Sequence, residues 1–535
     1  MSCPSRLILA SLSLVLSAPL YSAQPGDSAR PGRSVEQLGA VRFANSCSPA
    51  AQEKLQQGVA MLHSFWYTEG ERTFREALAA DPECTVAYWG IAALLMSNPL
   101  AGQGASPDGA KRALAAIEEG RAKPPKSQRE KDYIEAVAAY YEEYDTRAEP
   151  ARQKARAKAF EDLARRYPGD DEAQIFSALY LVALQSLDDK TYSMYLKAAG
   201  ILEKQFSKYP QHPGVAHYLI HAYDAPPIAA KGLDAARRYA SIAPAAPHAL
   251  HMPSHIFTRV GAWAESAATN QRSADVAVKG KDYDDAMHAA DYMVYAYLQM
   301  ARDEDARATA DRFLSANYPS NRFSGPYALA AMPARYAVER GDWRAAAQLE
   351  VRPSKFAYAD ALTHFARALG AARSGDAASA EQEVKKIAAL RDTLIAAKNM
   401  YWAKEVEVNW LGASAWAALA RGDQNQALEL MRRAADMEDG HEKHIVTPGR
   451  IVPARELLGD MLLEVGKPTE ALAAYEASHQ REPDRFRGLY GAAEAAARSG
   501  DAAKAKKYYA RLMEVGGQGS QRPELARART FIASN

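Results

Sequence analysis

The chain has little cysteine, no surplus of charge and no strand-like alternation. Three cysteines in 535 residues are too few for a fold built on disulfides. Basic and acidic residues number 66 and 65, a formal net charge of +1. That balance, with no long basic run, argues against nucleic acid or an anionic membrane as a partner. Beyond the N-terminus no apolar run reaches the ~20 residues of a membrane span, so no integral membrane segment is expected in the mature chain. Runs alternating apolar and polar residues with β-branched side chains are absent. No serine or cysteine nucleophile with a nearby base stands out, nor a paired-carboxylate arrangement, so a metal-free enzyme has no support.

Apolar residues at helical spacing fill the space those absences leave. The chain is 48% hydrophobic and rich in alanine, and its length exceeds what one compact core accommodates. The punctuation is regular. Turn glycines stand at Gly341, Gly375, Gly422, Gly466 and Gly500, usually followed by aspartate, and five residues after each comes Ala346, Ala380, Ala427, Ala471 or Ala505. The pairs 341/375 and 466/500 are 34 residues apart.

This pattern resembles the tetratricopeptide repeat, a helix–turn–helix unit of about 34 residues. Gly58, Phe74, Ala77 and Pro82 match it near the start; Leu458, Gly459, Ala471, Tyr475 and Pro483 match it late. The resemblance implies an all-α solenoid, a right-handed superhelix of roughly 10 to 13 helical pairs, over residues 47–535. The clearest repeats are 51–84, 213–246, 247–280, 287–320, 452–485 and 486–519.

The N-terminus carries Arg6, a small apolar run from Leu7 to Leu20, and Tyr21-Ser22-Ala23 before Gln24. This is the layout of a secretory signal over 1–23, followed by a flexible leader over 24–46, and it predicts a periplasmic or secreted protein. Cleavage would remove Cys3 and leave Cys47 and Cys84. Cys47 precedes the first helix of the first repeat and Cys84 follows the second, so antiparallel packing would bring the two ends together. A disulfide is expected; two unpaired buried thiols are the alternative.

Seven of the twelve histidines fall between His212 and His288. His217 and His221 form one i, i+4 pair, His251 and His255 another, and the second follows the first by 34 residues. In repeat register both pairs take the fifth and ninth positions of a first helix, where this repeat family commonly faces its groove. The next repeat, starting near Met287, places Asp291 and Tyr295 there. His248 and His288 each stand second in their own repeats, one turn earlier on the same face. Imidazoles at this spacing suit a transition metal, copper or zinc, held by His217, His221, His251, His255 and His288. His248, Asp291 and Tyr295 would support them, and Asp224 would orient a ligating ring. Two other readings stay open: a groove that holds a peptide or partner protein, and a structural role alone. HxxxH without the inner glutamate is not the zinc-protease motif, and Pro253 breaks the regularity of the second pair.

The stretches HPGVAHYLIHAYDAP and APHALHMPSHIFTRVGAW also resemble a family of secreted bacterial tetratricopeptide proteins without an assigned activity. The resemblance extends to LHSFWYTEGERTF, CTVAYWG and EKHIVTPGRIVPARELLGDML; it implies a fold, not a reaction. In that last block, His444, Arg450 as an anion contact and Glu456 as a groove residue are further candidates. The block is either a rigid loop between repeats or a segment facing the histidines across the groove.

Overall fold

The computed structural model describes Met1 and residues 37–534, except 125, 321 and 518–520. Apart from Met1, the expected signal over 1–23 and the leader as far as residue 36 lie outside the described residues; from 37 to 46 the leader is packed, with Leu38 and Phe43 buried. Within the described residues there are twenty-six α-helices, from Pro49–His63 to Pro523–Ser534, and no strand. Consecutive helices pack against each other, and many also touch the helix after next, which makes a stacked array of helical hairpins.

The turn chemistry explains the regularity. Gly341, Gly375, Gly422, Gly466 and Gly500 all take positive φ, between 65° and 87°, a conformation open to glycine at no steric cost. The aspartates after four of them, Asp342, Asp376, Asp423 and Asp501, each accept a bond from the backbone N–H three residues on, capping the next helix. The five alanines that follow are fully buried, where a small side chain lets paired helices approach closely. The same closeness explains Gly459. A Cβ there would lie 2.6 Å from the Tyr475 ring, so the tyrosine of one helix fills the notch that glycine leaves in its partner.

The array closes on itself. The indole of Trp263 donates to the Asp484 carbonyl at 2.9 Å, and the Phe486 N–H donates to Gln299 Oε1 at 2.9 Å. Helix Pro49–His63 touches helix Pro213–Ala222. Cys47 and Cys84 are joined by a disulfide, with Cα atoms 4.6 Å apart. The concave side is not an open groove here, because residues 441–453 run through it. Glu442 N–H donates to the Leu187 carbonyl (2.8 Å), and Arg335 donates to the carbonyls of Gly449 (2.7 Å) and Arg450 (2.9 Å).

Candidate metal centre

Two short helical segments carry the histidine pairs. Helix Pro213–Ala222 starts with proline at its first position and with the His212 side chain capping the Val215 N–H. All ten of its residues are buried, as expected for a helix that is apolar all round. The second segment is interrupted in name only. Helix Pro247–His251 ends and Pro253–Arg259 begins because Pro253 has no N–H to donate. Met252 keeps helical angles (φ −52°, ψ −37°), so His251 and His255 still stack one turn apart. The third helix, Tyr283–Gln299, begins four residues before the expected Met287.

These helices assemble two histidine trios. The first is His217, His221 and His248; the second is His251, His255 and His288, and within each the ligand atoms lie within 4.8 Å of one another. Each trio combines an i, i+4 pair with the second-position histidine of the following repeat. Nε2 of His217 lies 3.1 Å from Nε2 of His221 and 3.2 Å from Nε2 of His248; His251 and His255 face each other through Nε2 at 3.1 Å. The trios adjoin, with ring centroids 5.6 Å apart for His221 and His255 and 6.0 Å for His248 and His251. His248 is therefore a full member of the first trio rather than a support.

The bonds on the far side of the rings fix the tautomers. His217 Nδ1 donates to the His63 carbonyl at 2.6 Å. His255 Nδ1 donates to Asp224 Oδ2 at 2.8 Å, and Arg259 Nε donates to the other oxygen of that carboxylate at 2.8 Å. His251 Nδ1 donates to Asn270 Oδ1 at 2.7 Å; the amide's orientation follows from its Nδ2 donating to the Ser266 carbonyl. With Nδ1 protonated, a neutral imidazole has only a lone pair at Nε2. His251 and His255 thus point two lone pairs at each other across 3.1 Å, with no proton to join them.

Burial keeps the rings neutral. It pushes His217 down to about 3, and it pushes His221, His248, His251 and His288 well down, with neighbouring histidines adding to the effect. His255 is lowered by burial despite the opposing pull of Asp224. Burial raises Asp224 itself, but Lys443, Arg259 and His255 reverse this and hold it well below the carboxylate range.

A third group, His63, Glu172 and His212, also meets the distance condition, but its protons are accounted for. Burial pushes Glu172 up, and the two imidazoles more than reverse it. The ionised carboxylate accepts from Nε2 of His63 (2.9 Å) and of His212 (3.0 Å). Nδ1 of His63 accepts from the Tyr218 hydroxyl and Nδ1 of His212 from the Val215 N–H. No lone pair is left facing another.

Several expected residues point elsewhere. Asp291 pairs with buried Arg335 (2.7 Å), and the Tyr295 hydroxyl accepts from Arg485 (2.6 Å). Arg450 is no free anion contact: it pairs with Glu405 (2.8 Å) and Glu438 (3.2 Å). Glu456 is no groove residue: it is buried and accepts from Arg485 (2.8 Å). His444 accepts the Val446 N–H at Nδ1 and donates from Nε2 to the Ala101 carbonyl at 3.3 Å. The residue missed on Tyr283–Gln299 is Tyr292, whose ring lies 4.7 Å from His251, 5.3 Å from His255 and 5.2 Å from His288. Its i, i+4 spacing from His288 was a readable signal. Asn270, on the partner helix, gave none.

The late segment does meet the cluster, through its backbone. Tyr292 donates towards the carbonyls of Ile445 and Thr447, each 3.2 Å away. Ile445 and Val446 line a cavity of about 80 Å³ together with His221, His248, His255 and His288, two from each trio. Phe65 closes another side; it adopts φ 51°, and its ring lies 4.5 Å from that of His217 and 5.4 Å from that of His248.

No protein-family model matches the chain, and no curated protein matches it in sequence. Among solved structures, the crystal structure of the yeast Tom70 is similar at 11% identity and a TM-score of 0.29, over 90% of this chain and 95% of that one. That likeness says nothing about function. No helix among the described residues is long and apolar enough to cross a membrane.

Proposed function

We propose that this chain is an exported helical-repeat protein that binds a transition metal, copper or zinc, through imidazole Nε2 atoms inside its repeat array. The observation that carries the reading is the His251–His255 contact. Two nitrogens on one ion at ~2.0–2.1 Å stand roughly 2.9–3.4 Å apart for angles between 90° and tetrahedral, and the observed 3.1 Å falls in that interval. Lone pairs so placed repel each other unless a cation lies between them, and burial disfavours the proton. The anchoring of Nδ1 by Asn270, by Asp224 and by the His63 carbonyl is the outer-shell support that metal-bound histidines ordinarily have.

The cavity beside four of the histidines leaves an ion room for a small exogenous ligand, which suits a catalytic centre with an open position. Export is supported by the signal-like N-terminus and by the disulfide, a bond that persists in oxidising compartments. A peptide lying over the histidines would have to displace residues 441–453, so the partner-binding reading does not extend to this site.

The test is elemental analysis of the purified mature protein after exposure to copper or zinc, beside a His217→Ala/His251→Ala double variant. Wild type should retain metal through gel filtration and the variant should lose it. A wild-type protein that emerges metal-free from both exposures would refute the proposal.

A further inference from the structure

The ligand chemistry of the two trios discriminates between ions. All six donors are imidazoles, and each trio is made of histidine alone, so neither contributes negative charge. The carboxylates around them already have cationic partners. Asp224 is bonded by Arg259 and His255; Glu442 is paired with Lys190 (2.6 Å) and approached by Arg259 (3.5 Å) and Arg481 (3.4 Å). Lys443 donates to the Thr447 carbonyl (2.8 Å) and projects its charge onto His251, His255 and His288. On the cavity's other wall Arg322 is paired with Asp285 (2.8 Å). None of these three carboxylates is free to offset an added ion.

The cost of burying an ion rises with the square of its charge, and an unpaired buried charge is expensive. Two divalent ions side by side would each incur about four times the desolvation cost of a monovalent ion, and their mutual repulsion would scale in the same way. Three imidazoles and a water would also satisfy zinc, so charge is what separates zinc from copper here. Monovalent copper also binds imidazole nitrogen, and it adds one charge per trio where zinc adds two. The trios repeat one arrangement along the array, and their rings adjoin. Both open onto the same cavity, so two ions would be neighbours with one shared approach.

Resting on the metal-binding reading above, we infer that the two trios together hold a pair of copper(I) ions, one in each. His217, His221 and His248 are the ligands of the first, and His251, His255 and His288 of the second. Both ions would face the cavity of about 80 Å³, which has room for a small ligand shared by the pair.

The experiment is an anaerobic titration of the full mature protein, stripped of metal, with copper(I) supplied as its acetonitrile complex against a chromophoric copper(I) chelator. Two equivalents should bind. His217→Ala and His251→Ala should each fall to one equivalent, and zinc(II) added in equal amount should not displace the copper. A single equivalent in wild type, or zinc(II) retained in preference to copper(I), overturns the inference while leaving the metal-binding reading intact; no metal of any kind defeats both. Should the alanine variants fail to fold, X-ray absorption of copper-loaded wild type gives the answer directly. Three nitrogen neighbours per copper at a monovalent edge are expected, and two-coordinate copper or sulfur ligation overturns the inference.

Discussion

At the scale of single residues, the useful distinction is between a histidine whose protons are accounted for and one whose lone pair faces another. His63 and His212 belong to the first kind, since each has a donor on one nitrogen and Glu172 on the other. His212→Asn, which keeps a capping side chain, should therefore leave metal content unchanged and cost about 1–3 kcal/mol through the bonds lost at Glu172; denaturant melts and elemental analysis read the two effects separately. Asn270 should behave in the opposite way. It touches no ion, but it holds His251 in the tautomer that frees Nε2. Asn270→Ala should weaken metal binding by about 10–100-fold and leave the number of ions bound at saturation unchanged. A competition titration measures this. An unaltered affinity would mean that the Nδ1 bond does not set the tautomer.

Among elements, the hairpins were legible because their signals are local. A turn needing positive φ selects glycine, a capping position selects aspartate, and a crossing point selects glycine against an aromatic ring. Gly459→Ala tests the last of these, since the new methyl would lie 2.6 Å from Tyr475. Overpacking of this kind costs about 1–3 kcal/mol, visible as a lower urea midpoint with little change in slope. The histidine pairs were legible for the same reason, as 34-residue translation carries His217 to His251 and His221 to His255. Legibility ended where contacts are distant in sequence. Asp291 and Tyr295 followed from extending the register into a helix that begins at Tyr283, not Met287. An earlier start of about one turn does not rotate the helix; Tyr292, i+4 from His288, meets the cluster, while Asp291 pairs with Arg335. Arg450 looked free because Glu405 and Glu438, 45 and 12 residues away, could not be seen to converge on it. Nor does any periodicity reveal that residues 441–453 occupy the concave side.

For the whole molecule, closure of the array turns a row of surface positions into an interior. His217, His221, His251 and His255 are each no more than 2% exposed, which ties the stability of the metal-free protein to pH with a definite sign. In the unfolded chain a histidine takes up its proton near 6.5; in the folded chain His217 resists until about 3, and the other five cluster histidines are shifted the same way. Above about pH 7 neither state is protonated and the histidines contribute no slope. As pH falls below 6.5 the unfolded state binds protons that the folded state refuses, so stability declines with falling pH. Several groups titrating in parallel make the decline steep. The metal-free protein should show a nearly level melting temperature above about pH 7 and a marked fall between about pH 6.5 and 4. The metal-loaded protein should melt higher at neutral pH, since an ion bound only by the folded state stabilises it. It should then lose this advantage over the same acid interval as protons displace the ions. Calorimetry across that range, with metal content measured at each pH, checks both curves. A level melting temperature down to about pH 4 would show that these histidines do not sit buried and neutral in the folded protein, and that no unshared lone pairs face each other between His251 and His255.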